Sequence, residues 1–535
     1  MNKKRWLIAS ALLIVAIILF TVLRQQTSSQ QKTLRVAVQN TMSTLDPNHI
    51  DEVGAEWGET QILEGLYTAD AKGKITAGVA KQIVKPTENG TLYTIPLKHN
   101  QKWSDGTAVT AQDFVASAQR QVNPKTKSTR ANHFKDLENY SDVLSGKVAP
   151  KNLGISAPDK YTVQIKLAHP VPYFDFVLAN QLYPVNTDKL AKWGNKYGQT
   201  AETTVANGAY QVKKWNQSAT QWEFVKNQHF ADAKSVDFDT IKVTVVKDAY
   251  LAAKQYEAKK VDEAEISGAL VANIKKSAQK DIKTSQKGRM AFLVWNADDK
   301  VAGNTNFKKA VSLAINREQL TQEVLADGST PAKSIVPSGE VKIDGKDFND
   351  GLSLPYDKQA AQEYLKKAQS ELGQKHITLK INTADTDAYK ALGVYLKQSI
   401  ERNLPNVSVT LNRMPLNAEI QAFDNQNFQS GTLSWTTDFN DPIDFLDIAY
   451  SKGAINFTNW RDERYERLLE KVNQQYEPNA QRYTLAKSAA QLNNDLNGVT
   501  PLYQVANVHL QNSNKVDNLV YPLIGYQNYR YAEEK

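Results

Sequence analysis

The segment Ser434–Phe445 reads Ser-Trp-Thr-Thr-Asp-Phe-Asn-Asp-Pro-Ile-Asp-Phe and gathers Asp438, Asp441 and Asp444 beside the indole of Trp435. A carboxylate here can take a cationic group, and an indole can keep water from one side of that contact. Ser430 to Thr437 reads as a strand ending at Asp438, after which Asn440, Asp441 and Pro442 turn the chain. Trp435 and Asp438, with Ser434 and Thr436 beside them, therefore stand where a rigid element gives way to a loop, a usual position for binding side chains. Asp441 and Asp444 read instead as N-cap aspartates of a helix opening from Pro442.

Few other residues are spaced for chemistry. The histidines, His49, His99, His133, His169, His229, His376 and His509, include no two at metal-ligand spacing. The chain has no cysteine, which excludes disulfides, thiol catalysis and zinc–thiolate sites. It contains no Gly-x-Ser-x-Gly, no phosphate-binding loop and no His-Glu-x-x-His. The expectation is a binding protein rather than an enzyme, with no cofactor and no metal. Net charge is +8, but the lysines are scattered and no Lys/Arg cluster alternates with aromatics. That argues against a nucleic-acid partner and suits an anionic cell surface.

The elements that must position Asp438 follow from length and periodicity. At 535 residues, 41% apolar and 23% charged, the chain has room for two or three globular domains. Lys3, Lys4 and Arg5 precede an uncharged apolar run from Trp6 to Leu23, near the minimum for a membrane-spanning helix. With no Ala-x-Ala at its end, the run reads as an uncleaved anchor rather than a cleaved signal. Its basic flank places the rest of the chain outside the cytoplasm. Gln25 to Thr33 is a polar tether. Leu34–Val38 alternates as a strand, and later strands at 161–167, 290–296, 377–382 and 407–411 interleave with helices at 306–320, 357–373, 388–402 and 480–496. This alternation predicts α/β lobes with largely parallel sheets.

Several segments resemble one family closely. Trp103-Ser-Asp-Gly-Thr107, followed by Val109-Thr-Ala-Gln-Asp-Phe114, is the most specific of them. Its physics is structural: Asp105-Gly106 makes a tight turn and Thr110 caps a helix. Leu45-Asp-Pro47, Gln61–Tyr67, Asn207-Gly-Ala-Tyr210 and Phe307–Arg317 also match. From Leu34 to its end the chain resembles the oligopeptide-binding proteins, extracytoplasmic solute-binding proteins of family 5 that serve peptide ABC importers. The resemblance implies a two-lobed periplasmic-binding-protein-like fold (type II, with the extra subdomain of the peptide-binding group), here preceded by one N-terminal transmembrane helix. Its expected division is anchor 1–23, tether 24–33, lobe I 34–53 with 184–288 and 503–535, extra subdomain 54–183, and lobe II 289–502.

By the same resemblance, Asp438 meets the α-ammonium of a peptide, Trp435 stands beside it, and Ser434 and Thr436 flank the pocket. Thr41, Met42 and Ser43 line the groove, and Asn207, Gly208 and Tyr503 lie near it. Asn207-Gly208 suits a turn with positive φ. The implied partners are oligopeptides and the permease and ATPase subunits of an importer, with the protein monomeric and held at the outer face of the cell membrane. Alternatives are the same fold binding a metal chelate, haem, a sugar or a signalling peptide, or serving as a surface adhesin or sensor.

Overall fold

Strand β1 (Thr33–Val38) buries Leu34 and Val36 in one core and Ala37 in another on the opposite face, and leaves Thr33 and Arg35 half-exposed, as a period of two in an interior strand allows. In the computed structural model, which describes residues 31–535 apart from 268, 269, 272, 275–278, 454 and 455, β1 lies inside an 11-stranded sheet. A separate three-stranded antiparallel sheet holds β2 (Leu92–Pro96), β3 (Ile155–Asp159) and β4 (Thr162–Lys166) in the order β2-β4-β3.

The large sheet adds β5 (Tyr210–Lys213), β6 (Gln221–Lys226), β7 (Thr240–Val245), β8 (Glu263–Ile266), β9 (Ile282–Trp295), β10 (Ile377–Ala384), β11 (Val407–Met414), β12 (Ser430–Thr436) and β13 (Val499–Gln511). Their order is β11-β10-β12-β9-β13-β8-β1-β7-β6-β5, with Thr330–Pro331 paired against β13. The expectation of largely parallel sheets is corrected. β1 runs parallel to β7 and β8, and β10 runs parallel to β11 and β12, but the remaining neighbours are antiparallel. For β5 and β6 the physical reason is connection length: their short link can join only antiparallel strands.

The long strands β9 and β13 carry the sheet from one half of the molecule to the other. On β9, Ala291, Leu293 and Trp295 enter one core, while Met290, Phe292 and Val294 enter another on the opposite face, as a period of two requires. The first of these cores contains α3 (Thr305–Ala314), α4 (Lys358–Leu372) and α5 (Asp387–Asn403), and the second contains α6 (Ala480–Leu496). Asp357 caps α4 by accepting from Ala360 N, and Gly373, at φ 67°, ends it. A third core unites β1, the small sheet, α2 (Ala111–Val122) and β5 to β7.

The fold expectation also needs correction at its N-terminal end. No helix among the described residues is long and apolar enough to cross a membrane, so the described fold is the two-lobed α/β one without a transmembrane helix. The apolar run 6–23, on which that helix was placed, lies outside the described residues.

Candidate functional site

The ladder between β9 and β13 breaks between Gln286 and Met290. Lys287, Gly288 and Arg289, at the break, face a cavity of about 470 Å³. Lys287 sends Nζ to the Gly525 carbonyl at 3.3 Å. Burial lowers its pKa, opposed by Glu265 and reinforced by Arg289. Alternate residues of β13 (Val505, Asn507 and His509) and of β8 (Glu263 and Glu265) form one wall. There His509 Nδ1 meets Glu263 Oε1 at 2.6 Å, and Tyr529 donates to Glu263 Oε2 at 3.1 Å. Helix α1 (Val53–Ile62) contributes Glu56 and Glu59. Tyr526 donates its hydroxyl to Glu56.

Asp438 closes the opposite side. Its backbone N–H donates to Asp444 Oδ2 at 2.7 Å, and its carbonyl accepts from Gln181 Nε2 at 2.9 Å. Its carboxylate makes no hydrogen bond or ion pair with any described residue and opens into the cavity. The surface of Asp438 is therefore accessible, yet protein surrounds the space it faces. That loss of bulk water pushes its carboxyl up to about 6, with Lys135 opposing and Glu56 reinforcing the shift. Phe439, the next residue, stacks on Tyr173 at 3.7 Å between ring centroids. This stack and the Gln181 bond join the two sides of the cavity.

The other expected site residues divide. Thr436 lines the cavity with Asp438. Trp435 does not; its Nε1 donates to Asp444 Oδ1 at 3.2 Å. Ser434 is set back as well and accepts from Arg289, whose Nη2 is 2.7 Å away and which does line the cavity. Asp441 was expected to cap, and its Oδ1 does accept from Ile443 N at 3.1 Å, while Arg482 grips both its oxygens. Asp444 does not cap that helix; burial, then the neighbouring Asp438 charge, push its carboxyl well up.

Thr41, Met42 and Ser43 lie outside the cavity lining, which instead takes Gln39 and Asn40 directly after β1. Met42 is fully buried against Gly58, where a Cβ would come 2.3 Å from its sulfur. Asn207 is fully buried and brackets Glu64, accepting from its N–H at 3.0 Å and donating to its carbonyl at 2.9 Å. The expected positive φ at Asn207-Gly208 is not found. Glycine is required there for close approach: a Cβ on Gly208 would sit 2.8 Å from the Ile62 carbonyl carbon. Tyr503 is buried in the α3–α5 core rather than at the cavity. Among the described residues no three His, Asp or Glu side chains are grouped to hold a metal ion.

Residues 74–457, well over half of the chain, match the family model described as bacterial extracellular solute-binding proteins, family 5 Middle. The chain belongs to this family. It is 28% identical over 456 residues to the dipeptide-binding protein of Lactococcus lactis subsp. cremoris, covering 82% of each chain. It is 25% identical over 548 residues to the oligopeptide-binding protein OppA of Bacillus subtilis, covering 99% of each. Among solved structures it resembles Listeria monocytogenes OppA bound to peptide, with a TM-score of 0.76, 29% identity, and coverage of 95% of this chain and 100% of that one. The family consists of solute-binding proteins.

Proposed function

We propose that the chain captures oligopeptides outside the cytoplasm and delivers them, as a monomer, to an ABC-type importer in the membrane. The observation that carries this reading is Asp438, an unpaired carboxylate opening into a half-open cavity. A free carboxylate in such a place needs a cation, and a peptide's α-ammonium supplies one. Lys287 and Arg289, on the strand that crosses between the halves, offer positive charge to the peptide's carboxylate. Residues 289–502, whose cores lie apart from that around β1, are read as the second lobe. Closure of that lobe on the ligand is supported by the Tyr173–Phe439 stack and the Gln181–Asp438 bond across the cavity. The relatives named for peptides support the substrate class. Mass spectrometry of small molecules that co-purify with residues 31–535 tests it: peptides of mixed sequence are expected. A uniform non-peptide ligand would contradict it.

A further inference from the structure

The break in β9 is tied from behind to the loop 338–340, which does not line the cavity. Gln504, on β13, makes the first tie. Its Nε2 donates to the carbonyls of Lys287 at 2.9 Å and Ser338 at 3.1 Å, and its Oε1 accepts from Ser338 N at 3.0 Å. Thr437, between β12 and Asp438, makes the second. Its N–H and its hydroxyl both reach the Gly288 carbonyl, at 2.6 and 2.8 Å, and the same hydroxyl lies 3.1 Å from Glu340 Oε2. Gly288 N–H in turn donates to the Leu523 carbonyl at 2.6 Å. Thr437, Gly288 and Leu523 all line the cavity; Glu340 reaches it only through them.

The Thr437 hydroxyl has a single hydrogen. The Gly288 carbonyl, which can only accept, takes it at the shorter distance. Thr437 Oγ1 then offers Glu340 lone pairs alone, and the 3.1 Å contact closes only if Glu340 carries a proton and donates it. We propose that Glu340 is a positioning residue of the binding site: held as a neutral carboxylic acid, it donates to Thr437 and so fixes the Asp438 carboxylate relative to the Lys287–Arg289 break. The effect on affinity rests on the peptide reading of the cavity; the proton does not. The surroundings favour the neutral form. Glu340 Oε1 is buried with no partner among the described residues. Burial first, then the Asp444 and Asp441 charges, push the Glu340 carboxyl well up, against the Thr437 bond. The one guanidinium nearby, Arg482, is spent on both oxygens of Asp441. Asp347 accepts from Gly339 N at 2.6 Å, and Tyr483 on α6, pushed up to about 12 by burial, stays neutral. An ionised Glu340 would lose its bond to Thr437 and add a negative charge beside Asp438 and Asp444.

Infrared spectra of the ligand-free protein and of Glu340→Gln at pH 7.5 read the proton directly. The C=O stretch of one protonated carboxylic acid should be present in the unaltered protein and missing from the variant. Loss of an ionised carboxylate band instead overturns the proposal. Thermal unfolding reads the same proton by linkage. A carboxyl protonated in the folded chain and ionised in the unfolded one costs stability that grows as pH rises above about 5. Glu340→Gln carries no such cost, so its melting temperature should gain on that of the unaltered protein between pH 5 and 8; a gap independent of pH contradicts the proton. Calorimetry with Ala-Ala-Ala at pH 7.5 tests the positioning. Glu340→Gln, whose amide still donates to Thr437, should bind within about twofold of the unaltered protein, and Glu340→Leu about 5- to 20-fold more weakly. Equal affinity of Glu340→Leu and the unaltered protein removes Glu340 from the site. If Glu340→Leu does not fold, Thr437→Val, which deletes the relaying hydroxyl, takes its place with the same expected loss. If the unaltered protein binds no peptide, the peptide reading falls and the positioning role with it, and the infrared band still decides the proton.

Discussion

Two aspartates in this chain each hold a tryptophan indole and a backbone amide at once. Asp113 takes Trp103 Nε1 at 3.3 Å and Thr110 N at 2.8 Å. Asp444 takes Trp435 Nε1 at 3.2 Å and Asp438 N at 2.7 Å. Around Asp113 the bonds close on themselves: Thr110 and Asp113 form a capping box at the start of α2, and Thr187 N–H donates to the second carboxylate oxygen at 3.2 Å. Trp103 is fully buried, and neither residue reaches the cavity. Around Asp444 the same device leaves one group over. It pins the backbone of Asp438 so that the Asp438 carboxylate has no protein partner and opens into the cavity. The difference teaches that a local hydrogen-bond pattern does not itself mark a site. What marks it is the charge the pattern leaves unpaired.

The sharpest way to break this contrast is to remove each carboxylate in turn. Asp438→Ala should weaken free-amine peptides on the order of thirty- to several-thousand-fold, because truncation strands a buried ammonium. Asp113→Ala, measured by the same calorimetry, should leave affinity unchanged. Their order reverses in thermal unfolding. Asp113→Ala should cost about 2–4 kcal/mol, through the lost cap and the orphaned Trp103 and Thr187 donors. Asp438→Ala should leave stability unchanged or slightly raised, since the fold disfavours its charged form.

Asp444→Asn sharpens the comparison at smaller amplitude. An amide fills the space but can accept at only one of its two polar atoms, so either Trp435 or the Asp438 amide loses its partner. Affinity should fall about tenfold, with Asp438 still present but less firmly held. An unchanged affinity would mean that Asp444 does not position the site.

The smallest effect is that of pH. In the empty protein Asp438 titrates near 6, and a bound ammonium lowers that value. Binding therefore expels a proton below pH 6 and none well above it. Affinity for free-amine peptides should be level above pH 7 and fall at most about tenfold per unit as pH drops through 6. A titration series in buffers of differing ionisation heat would detect the released proton.

How much was legible in the sequence varies by element for physical reasons. Trp103–Phe114 and the strand of Leu34–Val38 were readable because turn, cap and alternation are local. Asp438 was readable because a strand, an indole and a turn meet at it, and because the segment resembles a family. The partner of Asp444 was not, since which N–H a carboxylate accepts depends on the path of a loop in space. Thr41, Met42 and Ser43 were placed at the groove, but the chain turns into the core after Asn40, so Gln39 and Asn40 face the cavity instead. Glu340 and Thr437 lie 97 positions apart and meet only through tertiary packing. For Glu59, which lines the cavity, one signal was available: a glutamate among Gly54, Ala55, Trp57, Gly58 and Ile62 on a buried helical face. The mixed sheet was missed because strands alternating with helices read as parallel units, and the one run of β9 buried on both faces, Met290–Trp295, reads like a parallel strand too.

The account's central claim is that the Asp438 carboxylate holds the ammonium of a peptide. The measurement that tests it most directly is a calorimetric cycle pairing free-amine and N-acetylated forms of one peptide with the unaltered protein and with Asp438→Ala. Acetylation should weaken binding to the unaltered protein by about as much as the substitution weakens the free-amine peptide, and the two losses should not add in the doubly altered pair. If the losses add fully, or if Asp438→Ala weakens both peptides equally, the carboxylate does not meet the ammonium and the claim is contradicted.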